Sequence, residues 1–344
     1  MFDNNKVLLL GSIPIENKPK TFGGATILVK SLIDFYIKSN LPHTFIQLNK
    51  YPDSQFKSYL SVLKAFFQLI LKHNLIFVNV SSNGAFYLSP FIVLVSKIFY
   101  KKTVFRIFGS NFEEVYSSKN LLIRFIAKQT FFRANLIIVE TNINKDFFSK
   151  KSKKNIFVLP NVRKKPTFSI NNVKFSKKFV FVSHVKLTKG ILDIVKAENF
   201  LPNDYTIDVF GPLYDNLKPA NLNTSIINYK GVLKPQEVLI MLREYDVLLL
   251  PTYYSGEGHP GILIEAMSLG MPCISTFWNS IEEVVENNFN GFLVPVKTPI
   301  KLAEAMLKFN VDNHKIMSAN SIKMFDKFDE DKVYESLILQ LKLI

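Results

Sequence analysis

The sequence predicts an α/β protein made of two doubly wound domains, each a parallel sheet with helices on both faces. Three observations lead to this prediction. The 344 residues exceed what one hydrophobic core usually serves. Short apolar runs alternate with helix-like stretches along the chain, which is typical of parallel sheets covered by helices. A polar, basic stretch near the middle interrupts the alternation, which then begins again.

The strand-like runs set the domain boundaries. The first half contains, in order, KVLLL, LIFVNVS, TVFRIFG, NLIIVET and IFVLPNV. The interruption RKKPTFSINNVKFSKK follows, and after it come FVFVS, YTIDVFG, SIINYKG, DVLLLP, PCIST and GFLVP. We therefore expect a first domain over residues 1–162, a linker over 163–176 and a second domain over 177–325. Residues 326–344 are helical in pattern and are expected to return to the first domain.

The N-terminal segment, the longest apolar stretch and the single cysteine together predict a cytoplasmic protein. The N-terminal MFDNNKVLLLGSIP lacks the basic flank and cleavage site of a signal peptide and is expected to form a buried strand. The longest apolar stretch, residues 85–102, is interrupted by two serines, a proline and a lysine, so we expect a buried helix there rather than a membrane span. The single cysteine, Cys273, suits a reducing compartment.

The net charge of +15 is unevenly distributed. Lys and Arg number 25 against 8 Asp and Glu in residues 1–172, but 18 against 20 in residues 173–344. A basic half can face nucleic acid, an anionic membrane or an acidic small molecule, and many such lysines are only solvated. No zinc-finger, RNA-binding or helix-turn-helix pattern accompanies the charge, so no nucleic-acid partner is expected.

The loop after DVLLLP is the first candidate for a binding site. Ligands of doubly wound sheets bind beyond the carboxyl ends of the strands, and this loop, TYYSGEGHPG, carries three glycines. A helix begins near Pro260, a residue suited to a first helical turn. The helix start offers free N–H groups and a partial positive charge, which favour a phosphate.

Two glutamates lie at this strand-to-helix junction. Glu265 is placed in the apolar helix GILIEAMSLG, where a carboxylate needs a hydrogen-bonding partner. That partner is either another protein group or a vicinal diol such as a ribose. Glu257 lies in the glycine-rich loop, where backbone can approach a ligand closely. A nucleotide sugar, with hydroxyls at both ends and phosphate between, would satisfy both acids and the helix start.

Two further loops follow strands. FVFVSHVKLTKGILDIV carries His184, Lys186 and Lys189 before Gly190 opens a helix, and Lys189 is positioned to reach a diphosphate, although a lone lysine is more often a surface residue. The pair Gly23 and Gly24 follows the first strand and allows backbone to pass near a ligand.

These motifs, in this order, resemble the retaining glycosyltransferases of family 4, within the glycosyl transferases group 1. The family pattern EG-x-P-x4-EAM-x2-G-x-P is matched by residues 257–272, and Pro160-Asn161, Lys189-Gly190 and residues 290–295 add agreement. The resemblance implies the GT-B fold, two Rossmann-like domains facing across a cleft. It implies transfer of a sugar from a UDP, GDP or ADP donor with retention of configuration and no obligatory metal.

The resemblance also assigns roles to individual residues. Glu265 would bind the ribose hydroxyls and Lys189 the diphosphate, with His184 in the same donor loop. Glu257 would bind the donor sugar together with the loop backbone formed by Gly258, His259, Pro260 and Gly261. Glu257 and Lys189 are the residues assigned to catalysis, and Gly23 and Gly24 are assigned to donor binding.

The sequence departs from the family in two places. The family usually has an arginine at the position of His184, so one permanent charge is lost. Many members carry a histidine after the strand that reads TVFRIFG here, and this chain has Phe108-Gly109-Ser110-Asn111. Asn111 and Ser110 are therefore the nearest polar candidates for contact with the sugar or the acceptor.

Two alternative functions remain. Gly256, Gly258 and Gly261 also spell a dinucleotide fingerprint, but the next strand, PCIST, does not end in the acid that a dehydrogenase needs. A degenerate transferase that binds nucleotide or sugar without turnover is the second alternative. The acidic triplet near Asp329 lies in a charged helical tail, so no metal site is expected there.

The expected acceptor is a glycan or a lipid-linked glycan used in cell-surface polysaccharide synthesis, which would place the enzyme in the cytoplasm or on the inner face of the cell membrane. The helix NLLIRFIAKQTFFRAN places Arg124 and Lys128 one turn apart beside large apolar residues, and KKSKK follows at 150–154. This pattern predicts association with an anionic membrane, unless the apolar face packs on its own sheet.

Overall fold

The computed structural model describes residues 6–16, 18, 21, 23–152, 155–168 and 175–344. The chain divides into two compact units, Met1–Asn161 with Val333–Ile344, and Val162–Lys332. Residues 169–174 of the expected linker, and Lys153 and Lys154 of the basic run at 150–154, lie outside the described residues.

The first unit contains a parallel sheet of six strands in the order β2-β1-β3-β4-β5-β6. These strands are β1 Val7–Gly11, β2 His43–Gln47, β3 Leu75–Ser81, β4 Lys102–Phe108, β5 Leu136–Val139 and β6 Asn155–Val158. The helices of this part of the chain are α1 Gly24–Lys38, α2 Gln55–Leu69, α3 Ser82–Ile98, α4 Phe112–Ser118, α5 Leu121–Gln129 and α6 Asn142–Lys151.

The second unit contains a second parallel sheet of six strands, in the order β12-β11-β10-β7-β8-β9. Its strands are β7 Lys178–Val182, β8 Thr206–Phe210, β9 Ile227–Gly231, β10 Val247–Leu250, β11 Cys273–Thr276 and β12 Gly291–Val294. Its helices are α7 Ile191–Ala197, α8 Pro235–Leu242, α9 Gly261–Ser268, α10 Pro299–Leu307 and α11 Val311–Phe325. The last helix, α12, spans Glu330–Lys342 and enters the first unit from Val333 onward.

The two doubly wound parallel sheets confirm the predicted fold class. Every run assigned to a strand forms one, and among the strands of the described residues the sequence reasoning missed only β2, His43–Gln47. This strand lies at the edge of its sheet and buries only Ile46 fully. An edge strand that is half exposed lacks the continuous apolar run by which central parallel strands are found.

The expectation of a fully buried helix after β3 is wrong for one side of α3. Its inner side packs in one core with α2 and the central strands. Its outer side exposes Tyr87, Leu94 and Ile98, which are 68%, 60% and 62% accessible. Composition alone could not separate these cases, because the outer side of the helix is as apolar as the inner one.

The C-terminal helix α12 packs within the first unit. The Tyr334 hydroxyl donates to the carbonyl of Leu28 at 3.2 Å and lies 3.0 Å from the Ser31 hydroxyl, and its ring is 5.2 Å from that of Phe35. These contacts are all to α1. None of the described helices combines the length and apolar character needed to cross a membrane.

Candidate functional site

The second sheet reverses its direction of winding between β7 and β10. These strands are hydrogen-bonded neighbours, with Val247 opposite Phe179, although β8 and β9 come between them in sequence. Where the strand order reverses, the loops leaving two adjacent strands turn to opposite faces and leave a crevice, which is where such sheets bind ligands. The loops after β7 and β10 are the two in which the sequence predicts the donor-binding residues Lys189 and Glu257.

The two loops are packed against each other through backbone. The amide of Tyr253 donates to the carbonyl of Thr188 at 2.8 Å. Gly190 has φ +77°, and a Cβ there would lie 2.0 Å from the carbonyl oxygen of Pro251. Only glycine permits both this backbone conformation and this approach. The glycine after Lys189 therefore fixes the lysine beside the glutamate loop.

Lys189 and Glu257, the two residues assigned to catalysis, form an ion pair in the structure. Their side chains are only 12% and 9% accessible. The Thr252 hydroxyl donates a further hydrogen bond of 2.8 Å to the same carboxylate oxygen of Glu257. Since a lysine ammonium has three donors, Lys189 can hold Glu257 and still donate to an anion.

The loop after β7 also places Lys186 and His184 near Lys189. The Lys186 ammonium lies 4.0 Å from the ring centroid of Tyr254, and that of Lys189 lies 5.1 Å from the same ring. Partial desolvation, together with the charges of Lys189 and Lys186, lowers the pKa of His184 below its ordinary value. His184 is therefore mainly neutral at neutral pH, and the permanent charges of this loop are the two lysines.

Glu265 has a protein partner, which the sequence reasoning did not identify. The Nε of Arg163 donates to Glu265 Oε1 at 2.6 Å, with side chains 15% and 22% accessible. The guanidinium also covers the start of α9, since a Cβ added at Gly261 would lie 1.6 Å from one of its nitrogens. The carboxylate expected to meet a ribose diol thus meets Arg163 in this structure.

Arg163 is held in place by its backbone. Its amide donates to the carbonyl of Phe328 and its carbonyl accepts from the amide of Glu330, both at 3.0 Å. It follows Pro160-Asn161 by two residues, in a stretch expected to be linker. A basic residue in a basic linker carries no signal that it folds onto a helix about one hundred residues later.

The loop after β10 also contains His259 and Pro260. Pro260 is the N-cap of α9, one position before the helical turn expected for it. His259 is buried, with Nε2 3.2 Å from Glu283 Oε2 and its ring 5.6 Å from that of Phe328. Its imidazole therefore links the loop to Glu283 and Phe328.

Four candidate residues, Gly23, Gly24, Ser110 and Asn111, lie in the first unit. Gly23 is the N-cap of α1 and Gly24 its first residue. Ser110 is buried, and Asn111 is the N-cap of α4. The loop before them is fixed by Glu140, which accepts from the Gly109 amide at 3.0 Å, and by Asn144, which donates to the Gly109 carbonyl at 2.6 Å.

Comparison with known proteins shows that the second unit is similar to a family of transferases. Residues 162–324 match the family model described as glycosyl transferases group 1. The chain is 29% identical over 144 residues to the amylovoran biosynthesis glycosyltransferase AmsK of Erwinia amylovora, covering 39% of this chain and 35% of AmsK. It is 32% identical over 120 residues to the putative colanic acid biosynthesis glycosyltransferase WcaL of Salmonella typhimurium, covering 34% and 30%. The chain thus spans about a third of the length of these relatives.

Solved structures extend the likeness to the whole chain. The crystal structure of Anabaena HepE in complex with UDP matches with a TM-score of 0.73 and 16% identity, over 99% of this chain and 100% of HepE. The GT-B fold is therefore confirmed. The resemblance to glycosyl transferases group 1 is confirmed as well, and the chain is similar to that family through its second unit. The narrower assignment to family 4 stays a prediction.

The described residues include no group of three or more His, Cys, Asp or Glu side chains that could hold a metal ion. Charged groups near the edge of the second sheet include Lys189 and Lys186 with Glu257, and Arg163 with Glu265. Cations beside a helix start fit a phosphate, and carboxylates fit hydroxyl groups.

Proposed function

We propose that this chain transfers a sugar, with retention of configuration, from a UDP- or GDP-sugar to a glycan or lipid-linked glycan in cell-surface polysaccharide synthesis. The observation that carries the proposal is the Lys189–Glu257 ion pair, which joins the two loops where the strand order reverses, in the loop that leads into the helix of Glu265. The enzyme would act in the cytoplasm or on the inner face of the cell membrane, without an obligatory metal.

The donor and pathway are supported by the relatives. HepE has been solved with UDP and with UDP-glucose. AmsK and WcaL are named for the biosynthesis of amylovoran and colanic acid, two polysaccharides. UDP is therefore the first nucleotide to test.

Each residue then has a physical task. The ribose diol would donate to both oxygens of Glu265 after Arg163 gives up Oε1. The diphosphate would lie between the Gly258–Gly261 backbone and Lys189, whose ammonium opposes the charge that grows as the glycosidic bond breaks. Glu257 would accept from the sugar hydroxyls, with Thr252 holding one of its oxygens. The acceptor would attack on the face that the diphosphate leaves, and a leaving-group oxygen would assist removal of the acceptor proton.

A degenerate transferase is the second candidate. The stretch Phe108-Gly109-Ser110-Asn111, where many members of the family carry a histidine, and His184 in place of an arginine favour it. Release of UDP from a UDP-sugar at a rate above the uncatalysed one distinguishes the enzyme from a binding protein.

Only some nucleotides are expected to raise the melting temperature of the protein. UDP or GDP should raise the melting temperature in the presence of EDTA, and NAD should not, because the second domain lacks the acid of a dinucleotide site. A ligand at about 100 times its dissociation constant contributes about 2.7 kcal/mol to the free energy of unfolding. A thermal-shift panel of UDP, GDP, ADP, CMP and NAD measures this. Stabilisation by NAD alone would contradict the proposal.

UDP affinity is expected to rise as the pH falls from about 8 to about 6. The pKa of His184 is lowered in the free protein, and a diphosphate beside it would raise it, so UDP binding takes up a proton. Calorimetric titration of the wild type and of His184→Gln separates this effect from titration of UDP itself. Parallel pH profiles for the two proteins would remove His184 from the diphosphate site.

A further inference from the structure

Three helices of the first unit carry large apolar side chains that point to solvent. These helices are α2, α3 and α5, and their inner sides pack in a single core on one face of the sheet. The ring of Phe91 in α3 lies 5.6 Å from the rings of both Phe66 and Phe67 in α2. Their exposed apolar residues, together with those just after each helix, form what we call the basic apolar surface. It consists of Phe56, Tyr59, Leu60, Phe67, Leu71, Tyr87, Leu94, Ile98, Tyr100, Leu121, Leu122, Phe125 and Ile126.

The exposed residues follow the helical repeat. In α2 and the turn after it they recur at positions 56, 60, 67 and 71, and in α3 at 87, 94 and 98. In α5, Leu121, Leu122 and Phe125 are 81%, 67% and 59% accessible, while Ala127 faces the core. Each helix therefore has an apolar side on its sheet and a second apolar side in solvent. The alternative prediction, that the apolar face of α5 packs on the sheet of its own domain, is wrong for Leu121, Leu122 and Phe125.

The charge of this surface has one sign. The sequence contains no Asp or Glu from Ser54 to Phe112, a stretch with seven Lys and Arg, and none from Val115 to Val139. Lysines on the outer side of all three helices are exposed, namely Lys57, Lys64, Lys97 and Lys128. Exposed aromatic and aliphatic side chains mixed with lysines match the boundary between lipid headgroups and acyl chains.

We propose that the basic apolar surface docks on the surface of an anionic lipid bilayer. Its lysines are attracted to acidic headgroups, and its apolar side chains enter the headgroup boundary. A second copy of the chain fits less well, because pairing this surface with itself would bring lysines against lysines without an acid between them. The proposal does not depend on glycosyl transfer, although it would bring the enzyme to a lipid-linked acceptor.

Flotation with vesicles tests the docking. The full chain is expected to float with vesicles of phosphatidylcholine containing about 30% phosphatidylglycerol, to float less as salt is raised, and to stay in solution with pure phosphatidylcholine. Failure to float with the anionic vesicles at low salt would overturn the proposal. A stable dimer in solution that loses its dimer contact in the variants below would also overturn it, in favour of a second copy.

A charge-matched pair of variants locates the surface. The first variant carries Lys64→Glu, Lys97→Glu and Lys128→Glu, one change on each helix. The control carries Lys196→Glu, Lys315→Glu and Lys323→Glu, three exposed lysines of the second unit, and has the same net charge. We expect the first variant to lose at least about tenfold in vesicle partitioning and the control to keep most of it. Equal losses would mean that net charge, and not this surface, causes binding.

The apolar part has its own test. Leu122→Gln with Phe125→Gln should lower partitioning at an unchanged net charge, whereas Ile316→Gln, a 62% accessible residue of α11, should not. Melting curves and UDP affinity should be unchanged in all these variants, because none of the positions lies in the candidate site. Loss of flotation with intact UDP binding would therefore separate membrane docking from the proposed function, and unchanged partitioning of the double variant would contradict apolar insertion.

Discussion

Replacing Lys189 with alanine is expected to lower turnover about 30- to 150-fold. The ammonium opposes charge that develops on the departing diphosphate, and an interaction stronger in the transition state than in the ground state raises the rate of the chemical step. Loss of a charge-assisted contact of about 2 to 3 kcal/mol gives this range. Steady-state kinetics of UDP release measures it. Lys189→Arg should recover part of the loss, because charge returns with a different geometry.

Lys189→Ala is also expected to lower the free energy of unfolding. Lys189 is the cationic partner of Glu257, which is 9% accessible, so the alanine leaves a nearly buried carboxylate with less compensation. Removing one member of such a pair costs about 3 kcal/mol. The double variant Lys189→Met with Glu257→Gln removes both charges and should restore much of the melting temperature without restoring activity. Nearly full activity in Lys189→Ala would mean that the diphosphate lies elsewhere.

Glu265→Gln is expected to weaken UDP binding by about 10- to 150-fold. A carboxylate accepts hydrogen bonds from both ribose hydroxyls, whereas an amide offers one acceptor oxygen and no charge, a difference of about 1.5 to 3 kcal/mol. Calorimetric titration with UDP and with its 2′-deoxy analogue measures the effect. The wild type should discriminate strongly between the two ligands, and Glu265→Gln should discriminate weakly.

Arg163→Ala separates this role from a purely structural one. Arg163 occupies Glu265 Oε1, so its removal should cost stability but leave UDP affinity at least as high as in the wild type. If Glu265 served only to hold Arg163, both variants would lower the melting temperature and neither would change UDP affinity. Glu304→Gln, an exposed carboxylate of α10, is the matched control and should change neither quantity.

The sequence predicted most of the fold because parallel strands buried on both faces appear as continuous apolar runs. β10 and the loop after it could be placed, and with them Glu257 and Glu265, since a strand, a glycine-rich loop and a helix follow one another in the chain. Edge strand β2 escaped because it is half exposed. The outer side of α3 was misjudged because nothing local distinguishes an apolar side that meets a core from one that meets solvent.

The side-chain contacts that hold the two glutamates could not be predicted from the sequence. Arg163 reaches Glu265 because the chain after β6 forms a bridge with the segment before α12, at Asp329. Thr252 reaches Glu257 because the loop turns back on itself over five residues. Both depend on side-chain directions that spacing does not specify. The acids could therefore be named from the sequence, but the groups that hold them could not.

A crystal structure of the protein with UDP bound tests the proposed donor site most directly. We expect the ribose hydroxyls to contact the carboxylate of Glu265, with Arg163 withdrawn from Oε1, and the diphosphate to lie between the Gly258–Gly261 backbone and the Lys189 ammonium. UDP bound away from the carboxyl edge of the second sheet, or an Arg163–Glu265 pair unchanged beside a bound nucleotide, would contradict it.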